Sequence, residues 1–253
     1  MARRSGPLQD LLASARNEGK KLLAVLLDPD KFDDAQADRI SYMDENGADL
    51  FLIGGSLLIT DRLRATIEAV RSRSDRPIYL FPSGPSQIDA RADGILFLSL
   101  LSGRNAELLI GKQVEAAPLL KQTDLHVMST GYMLVQCGNL TTAHYMSQSS
   151  PIPHDKDEIA VATAMAGMYL NMSCIYMDGG SGAAMPITPR MIESVRKAID
   201  IPLIIGGGIR NAEQAQAACS SGADMIVVGT AFEEDPSLFQ DISIAVHSLS
   251  VKS

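Results

Sequence analysis

Tyr176-Met177-Asp178-Gly179-Gly180-Ser181-Gly182, Gly206-Gly207-Gly208-Ile209 and Val228-Gly229-Thr230 are three glycine-rich turns in the last third of the chain. Each closes a short apolar run: Cys174–Met177, Leu203–Ile205 and Met225–Val228. Runs this short and this continuously apolar read as parallel strands covered on both faces. Glycine at a strand's end lets backbone N–H groups approach an anion closely, and Ser181 adds a hydroxyl donor. Helices expected at Pro189–Ala198 and Asn211–Ser221, the latter capped by Asn211, bring their N-termini toward the same place. Glycine turns after two adjacent late strands are the usual phosphate site of a (β/α)8 barrel. A dinucleotide-binding sheet is excluded, because no turn has GxGxxG spacing and none opens the first βα unit.

Working outward, Leu22–Leu27, Leu50–Ile53, Ile78–Phe81, Ile95–Leu98 and Leu125–Ser129 complete a set of eight strands. Helices are expected near Asp34–Asn46, Asp61–Arg73, Ala106–Ala117, Lys156–Leu170 and Ser237–Leu249. The linker Pro82-Ser83-Gly84-Pro85 is too broken for a helix, so helix 3 should be reduced or missing. Strict alternation points to an α/β fold of the TIM-like barrel type. The 253 residues then make one domain, 1–253, of the usual barrel size. A weak repeat agrees: Gly47-Ala48-Asp49 and Gly222-Ala223-Asp224 each lead into an apolar strand that ends in glycine, and Ala92-Asp93-Gly94 echoes them.

The net charge of −8, from 30 acidic against 22 basic residues, argues against a nucleic-acid binder that relies on bulk electrostatics. An anionic substrate must then be held locally, by N–H groups, helix ends or a metal. Cys137, Cys174 and Cys219 are odd in number and outside any CxxC, which reads as buried thiols in a reduced compartment, here the cytoplasm. The first residues form no apolar signal segment. Ile159–Met177 lacks formal charge and is long enough to cross a bilayer. Asn171-Met172-Ser173 divides it into a helix and a strand, so no transmembrane segment is expected.

Barrel chemistry sits at the C-terminal ends of the strands. There, strand 1 runs into Asp28-Pro29-Asp30-Lys31 and strand 2 into Gly54-Gly55-Ser56. Asp28 and Ser56 can offer two hard oxygens to Mg2+, which completes its shell with water and substrate phosphates. Asp30 reads as a turn former. Tyr176 either faces the ligand or is a core ring, whereas Asp178 can orient a hydroxyl and accept its proton. His126 reads as a satisfied strand residue, and His144, His154 and His247 lack metal spacing. Gly131-Tyr132, following strand 5, can line the mouth, and Ser147–Pro153 suits a mobile loop over it.

These pieces, with Thr130-Gly131-Tyr132 and Pro151-Ile152-Pro153, resemble in order and spacing the geranylgeranylglyceryl phosphate synthases and the related heptaprenylglyceryl phosphate synthases, the PcrB-like family. The likeness runs from Leu26 to about Glu234 and is strongest with the larger, archaeal and Bacteroidetes-type branch. It implies transfer of a geranylgeranyl group, or another long prenyl group, from its diphosphate to the 3-hydroxyl of sn-glycerol 1-phosphate. It implies Mg2+ at Asp28 and Ser56. Glycerol phosphate would lie on Tyr176, Met177, Asp178, Gly179, Gly180, Ser181, Gly182, Gly207, Gly208, Gly229 and Thr230, with Tyr176 and Asp178 in catalysis. It also implies a homo-oligomer, a dimer or hexamer. Two departures stand out: the family usually has Glu at position 178, and its smaller branch has Lys at position 26.

Three other readings compete. Isomerases and aldolases on phosphate-binding barrels need a strand-end Lys or paired Asp, which this chain lacks. A non-catalytic phosphate- or lipid-binding barrel would show no transferase activity. A relative that prenylates 3-phosphoglycerate needs Arg or Lys beside the cradle, and none stands within its motifs.

Overall fold

The computed structural model describes residues 5–229 and 237–249, and at 34–36 the backbone alone. Eight parallel strands close in sequence order: β1 (Leu22–Leu27), β2 (Leu50–Ile53), β3 (Ile78–Leu80), β4 (Gly94–Leu100), β5 (His126–Leu134), β6 (Cys174–Asp178), β7 (Leu203–Gly206) and β8 (Met225–Val228). β8 pairs back onto β1 with Leu22 opposite Met225. The helices are α1 (Pro7–Asn17), α2 (Asp34–Glu45), α3 (Leu63–Arg71), α4 (Lys112–Leu120), α5 (Thr142–Ser147), α6 (Asp157–Tyr169), α7 (Pro189–Ala198), α8 (Ala212–Ser220) and α9 (Ser237–His247). The expected barrel is therefore the observed one. Between β3 and β4 the helix is reduced to a single 3-10 turn, Pro85–Gln87, because the prolines and Gly84 cannot carry a longer one.

Strand side chains alternate in and out. Leu22, Ala24, Leu50, Leu52, Leu96, Met128, Tyr176, Ile204 and Met225 fill the barrel interior. Their neighbours Leu23, Val25, Phe51, Ile53, Met177, Ile205 and Ile226 pack outward with the helix layer. This alternation corrects one expectation: the Met177 side chain is fully buried in that outer layer, so only its backbone can face the mouth. β5 also extends five residues beyond Ser129, which places Gly131 and Tyr132 inside the strand rather than after it.

The repeated Asp residues have a shared structural task. Asp49 Oδ2 accepts the Leu23 N–H at 2.7 Å, Asp93 Oδ2 the Ile78 N–H at 2.8 Å, and Asp224 Oδ2 the Leu203 N–H at 2.8 Å. Each carboxylate just before a strand thus satisfies the backbone at the start of its neighbour, pinning register at the barrel floor. Arg71 and Arg196 bind the same Oδ2 atoms of Asp93 and Asp224.

α1 was not expected, and it closes that floor. Leu8 and Leu12 enter the interior cluster, and Gly6 lies against the His126 ring. The Leu8 N–H donates to the Tyr79 hydroxyl at 3.1 Å, leaving that hydroxyl to donate to His126 Nδ1 at 2.9 Å. His126 is a satisfied structural histidine, as read from its strand position. Tyr79→Phe should lower stability by about 1–3 kcal/mol, since it orphans a buried N–H and an imidazole nitrogen. A urea unfolding midpoint unchanged from wild type would refute this.

Candidate functional site

The barrel mouth joins three features in order around the ring: a glycine cradle on β6 and β7, the turns after β1 and β2 with one carboxylate and one hydroxyl, and an apolar cavity beside β3 and β4. Asp178 is the last residue of β6 and shares the inward parity of Tyr176. Its side chain is buried, with Oδ2 accepting the Tyr132 hydroxyl at 2.6 Å and Oδ1 accepting the Gly180 N–H at 2.7 Å. Burial raises the carboxyl above its ordinary value, while those two bonds and His144 pull it partly back. Burial also pushes the Tyr132 phenol well up, reinforced by the Asp178 charge, so Tyr132 stays a donor. No ion pair engages Asp178 among the described residues.

Tyr176 is fully buried, its ring stacked on Phe81 at 5.3 Å between centroids and edge-on to Tyr132 at 5.5 Å. Of the two readings left open for it, the core ring fits the geometry, with its hydroxyl side against Gly206. Tyr132, expected only to line the mouth, is the partner of Asp178. Only the strand count through β5 and β6, which sets Tyr132 opposite Tyr176, could have shown it.

The cradle is a contact between two strand ends. Gly207 has φ +81°, and a Cβ there would lie 2.7 Å from both Gly179 N and Gly180 N. Gly180 and Gly208 are also left-handed, while Gly182 faces open space. Among the described residues the N–H groups of Gly182, Gly207 and Gly208 donate to no protein acceptor. Asn211 caps α8 as expected, accepting the Gln214 N–H at 2.9 Å. Ser181 stands in the same turn and Gly229 lies beside Leu26 of β1; Thr230 falls outside the described residues. Arg210, which the motifs had not singled out, reaches the cradle's rim, where its guanidinium is bound to the Ala183 carbonyl at 2.9 Å.

Across the mouth, Asp28 is half-buried after β1, and its Oδ1 would lie 3.2 Å from a Cβ on Gly55, next to Ser56. Burial raises its carboxyl, an unfavourable state that a bound cation would relieve. Asp30 is occupied elsewhere, accepting from Ile59 N, Thr60 N and Thr60 Oγ1 at 2.6–2.8 Å; its carboxylate ties the loop after β2 to the turn after β1, a cross-loop role rather than the local one expected. No group of three or more His, Cys, Asp or Glu residues able to hold a metal occurs among the described residues. One carboxylate beside one hydroxyl suits Mg2+ that brings most of its shell with a phosphate-bearing ligand.

Where helix 3 is missing, a cavity of about 320 Å3 opens from Ser56 and Tyr132 along Phe81, Leu96, Leu98 and Leu108 toward Ala116. A π-helical turn at Glu107–Gly111 forms part of its wall. There the Gln113 amide N–H2 donates to the carbonyls of Leu98 and Leu108, and Lys112 and Gln113 join a lining that is otherwise mostly apolar. Ala143, Met146 and Ser147 of α5, a helix not expected from sequence, roof it. The Ser147–Pro153 segment is pinned rather than free at its end: Ile152 is buried and bridges Val135, with hydrogen bonds to Leu134 and Gln136.

The PcrB family model matches residues 16–246. The chain belongs to the PcrB family. A geranylgeranylglyceryl phosphate synthase of Spirosoma linguale is 45% identical over 95% of this chain and 97% of its own length. One from Thermococcus gammatolerans is 41% identical over 87% of each. The crystal structure of the Thermoplasma acidophilum (S)-3-O-geranylgeranylglyceryl phosphate synthase with its substrate sn-glycerol-1-phosphate aligns with TM-score 0.87 and 31% identity, covering 98% of this chain and 99% of that one. Tryptophan synthase of M. tuberculosis, at TM-score 0.60 and 16% identity, shares the fold alone. Family membership makes this chain an enzyme, a prenyltransferase. No helix among the described residues is long and apolar enough to cross a membrane.

Two substitutions test the PcrB-type site. Gly207→Ala forces a left-handed alanine into two backbone nitrogens; the conformation alone costs about 1–3 kcal/mol. Its melting temperature should fall and phosphate binding, read by calorimetry, should weaken. Asp178 has a folded-state pKa above its unfolded value, so the folded protein binds that proton more tightly and gains stability as pH falls through the folded pKa. Asp178→Asn should remove this gain and unfold no more easily at neutral pH, while turnover is lost. A variant less stable than wild type at neutral pH would contradict the sign.

Proposed function

We propose that this prenyltransferase moves a geranylgeranyl group from geranylgeranyl diphosphate to the 3-hydroxyl of sn-glycerol 1-phosphate. The observation that carries the reading is Tyr132. Its ring lines the apolar cavity while its hydroxyl is bonded to Asp178 at the edge of the cradle. One residue therefore borders both a place for a long hydrocarbon chain and a place for a small phosphorylated polyol.

In this reading the N–H groups of Gly182, Gly207 and Gly208, with Ser181, Gly229 and Thr230, hold the acceptor's phosphate. Asp178 receives a hydrogen bond from the 3-hydroxyl and takes its proton as the oxygen forms a C–O bond to the prenyl carbon. The bond from that carbon to the diphosphate oxygen breaks, and the diphosphate leaves with the electron pair. Tyr132 fixes the Asp178 rotamer, and Tyr176 and Phe81 form an aromatic floor that keeps water from the reacting carbon. Asp28 and Ser56 would hold Mg2+, which when bound neutralises charge on the leaving diphosphate. Aspartate in place of the family's usual glutamate at 178 shortens the reach by one methylene, so the acceptor must sit closer to β6.

The same reading places the protein in the cytoplasm, as one domain and as a homo-oligomer. The exposed Leu140, Tyr145, Tyr169 and Leu170 around α5 and α6 support the last point.

Labelled sn-glycerol 1-phosphate with a series of prenyl diphosphates from farnesyl to heptaprenyl tests the reaction. An ether product formed best with the geranylgeranyl donor is expected, and no product with any donor would overturn it. Asp28→Ala should abolish Mg2+-dependent transfer while the protein keeps its circular dichroism spectrum. Turnover at the wild-type rate in that variant would sink the metal assignment.

A further inference from the structure

α5 is held by an unusual cap. Thr141 and His144 form a reciprocal capping box, in which the Thr141 N–H donates to His144 Nδ1 at 3.1 Å and Thr141 Oγ1 accepts from the His144 backbone. Position N3 of such a box is normally Glu or Gln. A backbone N–H can only donate, so it fixes the neutral tautomer: Nδ1 is the acceptor and the proton sits on Nε2. His144 is 3% exposed, and its buried Nε2 makes no hydrogen bond of ordinary geometry, only a weaker one to the Val135 backbone.

The cap stands directly on the catalytic turn. Thr141 packs against Gly180 so closely that a Cβ on Gly180 would meet Thr141 Oγ1. Gly180 in turn donates to Asp178. One residue to either side of His144, Ala143 and Tyr145 diverge: Ala143 lines the apolar cavity together with Met146 and Ser147, and Tyr145 is exposed. α5 is thus a short roof over both substrate regions, fastened at one end by His144.

We propose that His144 is a proton-sensitive latch: a second proton on its ring breaks the cap and lifts α5 from the Asp178 turn and from the apolar cavity. The chemistry is direct. With Nδ1 protonated, the Thr141 N–H loses its acceptor. Thr141 Oγ1, at 3.2 Å, can receive the new proton, but the charge remains in a sealed site. Burial already holds the His144 pKa below its ordinary value, against the pull of Asp178 and of the Val135 backbone. Asp178 on β6 is the charge that acts on it, while Tyr132 on β5 and Cys137 beyond it, both acted on by Asp178, are held neutral by burial. The sign follows. The latched state binds this proton less tightly than the open one, so latching is complete above the ordinary histidine pKa of about 6.5 and is lost below it.

His144→Gln separates the latch from the fold, because glutamine accepts the Thr141 N–H without titrating. Nitrogen-correlated NMR of the full chain follows the His144 ring, identified by its loss in the variant. As the wild-type ring titrates, the amides of Thr141–Ser147 should move in step, and in His144→Gln they should stay still. Amides that hold their positions through the wild-type titration overturn the latch, as does the same acid shift in the variant.

The consequence for substrate rests on the proposed function. In wild type the KM for geranylgeranyl diphosphate should rise as pH drops from about 6.5 toward the ring's lowered pKa, by up to about tenfold per unit more than in His144→Gln, because titration of the diphosphate itself is common to both proteins. A wild-type KM profile that matches the variant's overturns the roof. Absence of turnover in both proteins condemns the proposed reaction instead, and the amide shifts then decide the latch alone.

Discussion

Eight short parallel strands that close on themselves leave no edge, and every second residue of each strand has to point into a space about one side chain wide. That alternation governs the rest of the molecule. Leu22, Ala24 and Leu26 of β1 point inward or toward the mouth, so Asp28 two residues on shares their parity. Cys174 and Tyr176 fill the interior, so Asp178 must enter the mouth as well. Met177, one residue away, is turned into the helix layer by the same rule. The site is thus a continuation of strand geometry beyond the last packed layer.

The two ends of the barrel use carboxylates in opposite ways. At the floor, Asp49, Asp93 and Asp224 are bound to the first amides of neighbouring strands and, in two cases, to arginines. They hold the fold and have no capacity left for chemistry. At the mouth, Asp178 and Asp28 are buried or half-buried, their carboxyl groups pushed up by desolvation, and neither is in an ion pair among the described residues. A carboxylate kept this way is costly to the fold and useful to a reaction, a division seen across barrels of this type.

Loss of one helix completes the arrangement. In a full barrel, a helix after β3 would cover the outer face of β3 and β4. Here Pro82, Gly84 and Pro85 permit only a 3-10 turn, and the outward Ile95 and Phe97 of β4 join the inward Leu96 and Leu98 in lining an apolar cavity. The π-helical turn before α4 and the roof formed by α5 shape the other walls. A breaker sequence that looks like a defect in a repeating fold is therefore what makes room for a hydrocarbon chain.

The alternation of apolar runs, the three glycine turns and the broken linker were legible in the sequence because each depends on local rules: strand burial, left-handed backbone and the stiffness of proline. They determined the barrel, the position of the missing helix, and the candidacy of Asp28, Ser56, Asp178 and the cradle glycines. Even there, β5 ran past its predicted end, since Gly131 reads as a breaker until β4 and β6 pair on both sides of it. Other features needed the chain to close. Pairing of β5 with β6 sets Tyr132 beside Asp178, and the packing of α1 beneath the barrel turns His126 and Tyr79 into a floor. Placement of α5 over the Gly180 turn gives His144 a role that its position in the chain does not suggest. These contacts, Asp178 with Tyr132, Leu8 with Tyr79 and Thr141 with Gly180, join residues 39 to 71 positions apart only through the barrel's curvature, and no local pattern of residue types encodes which strand ends will meet.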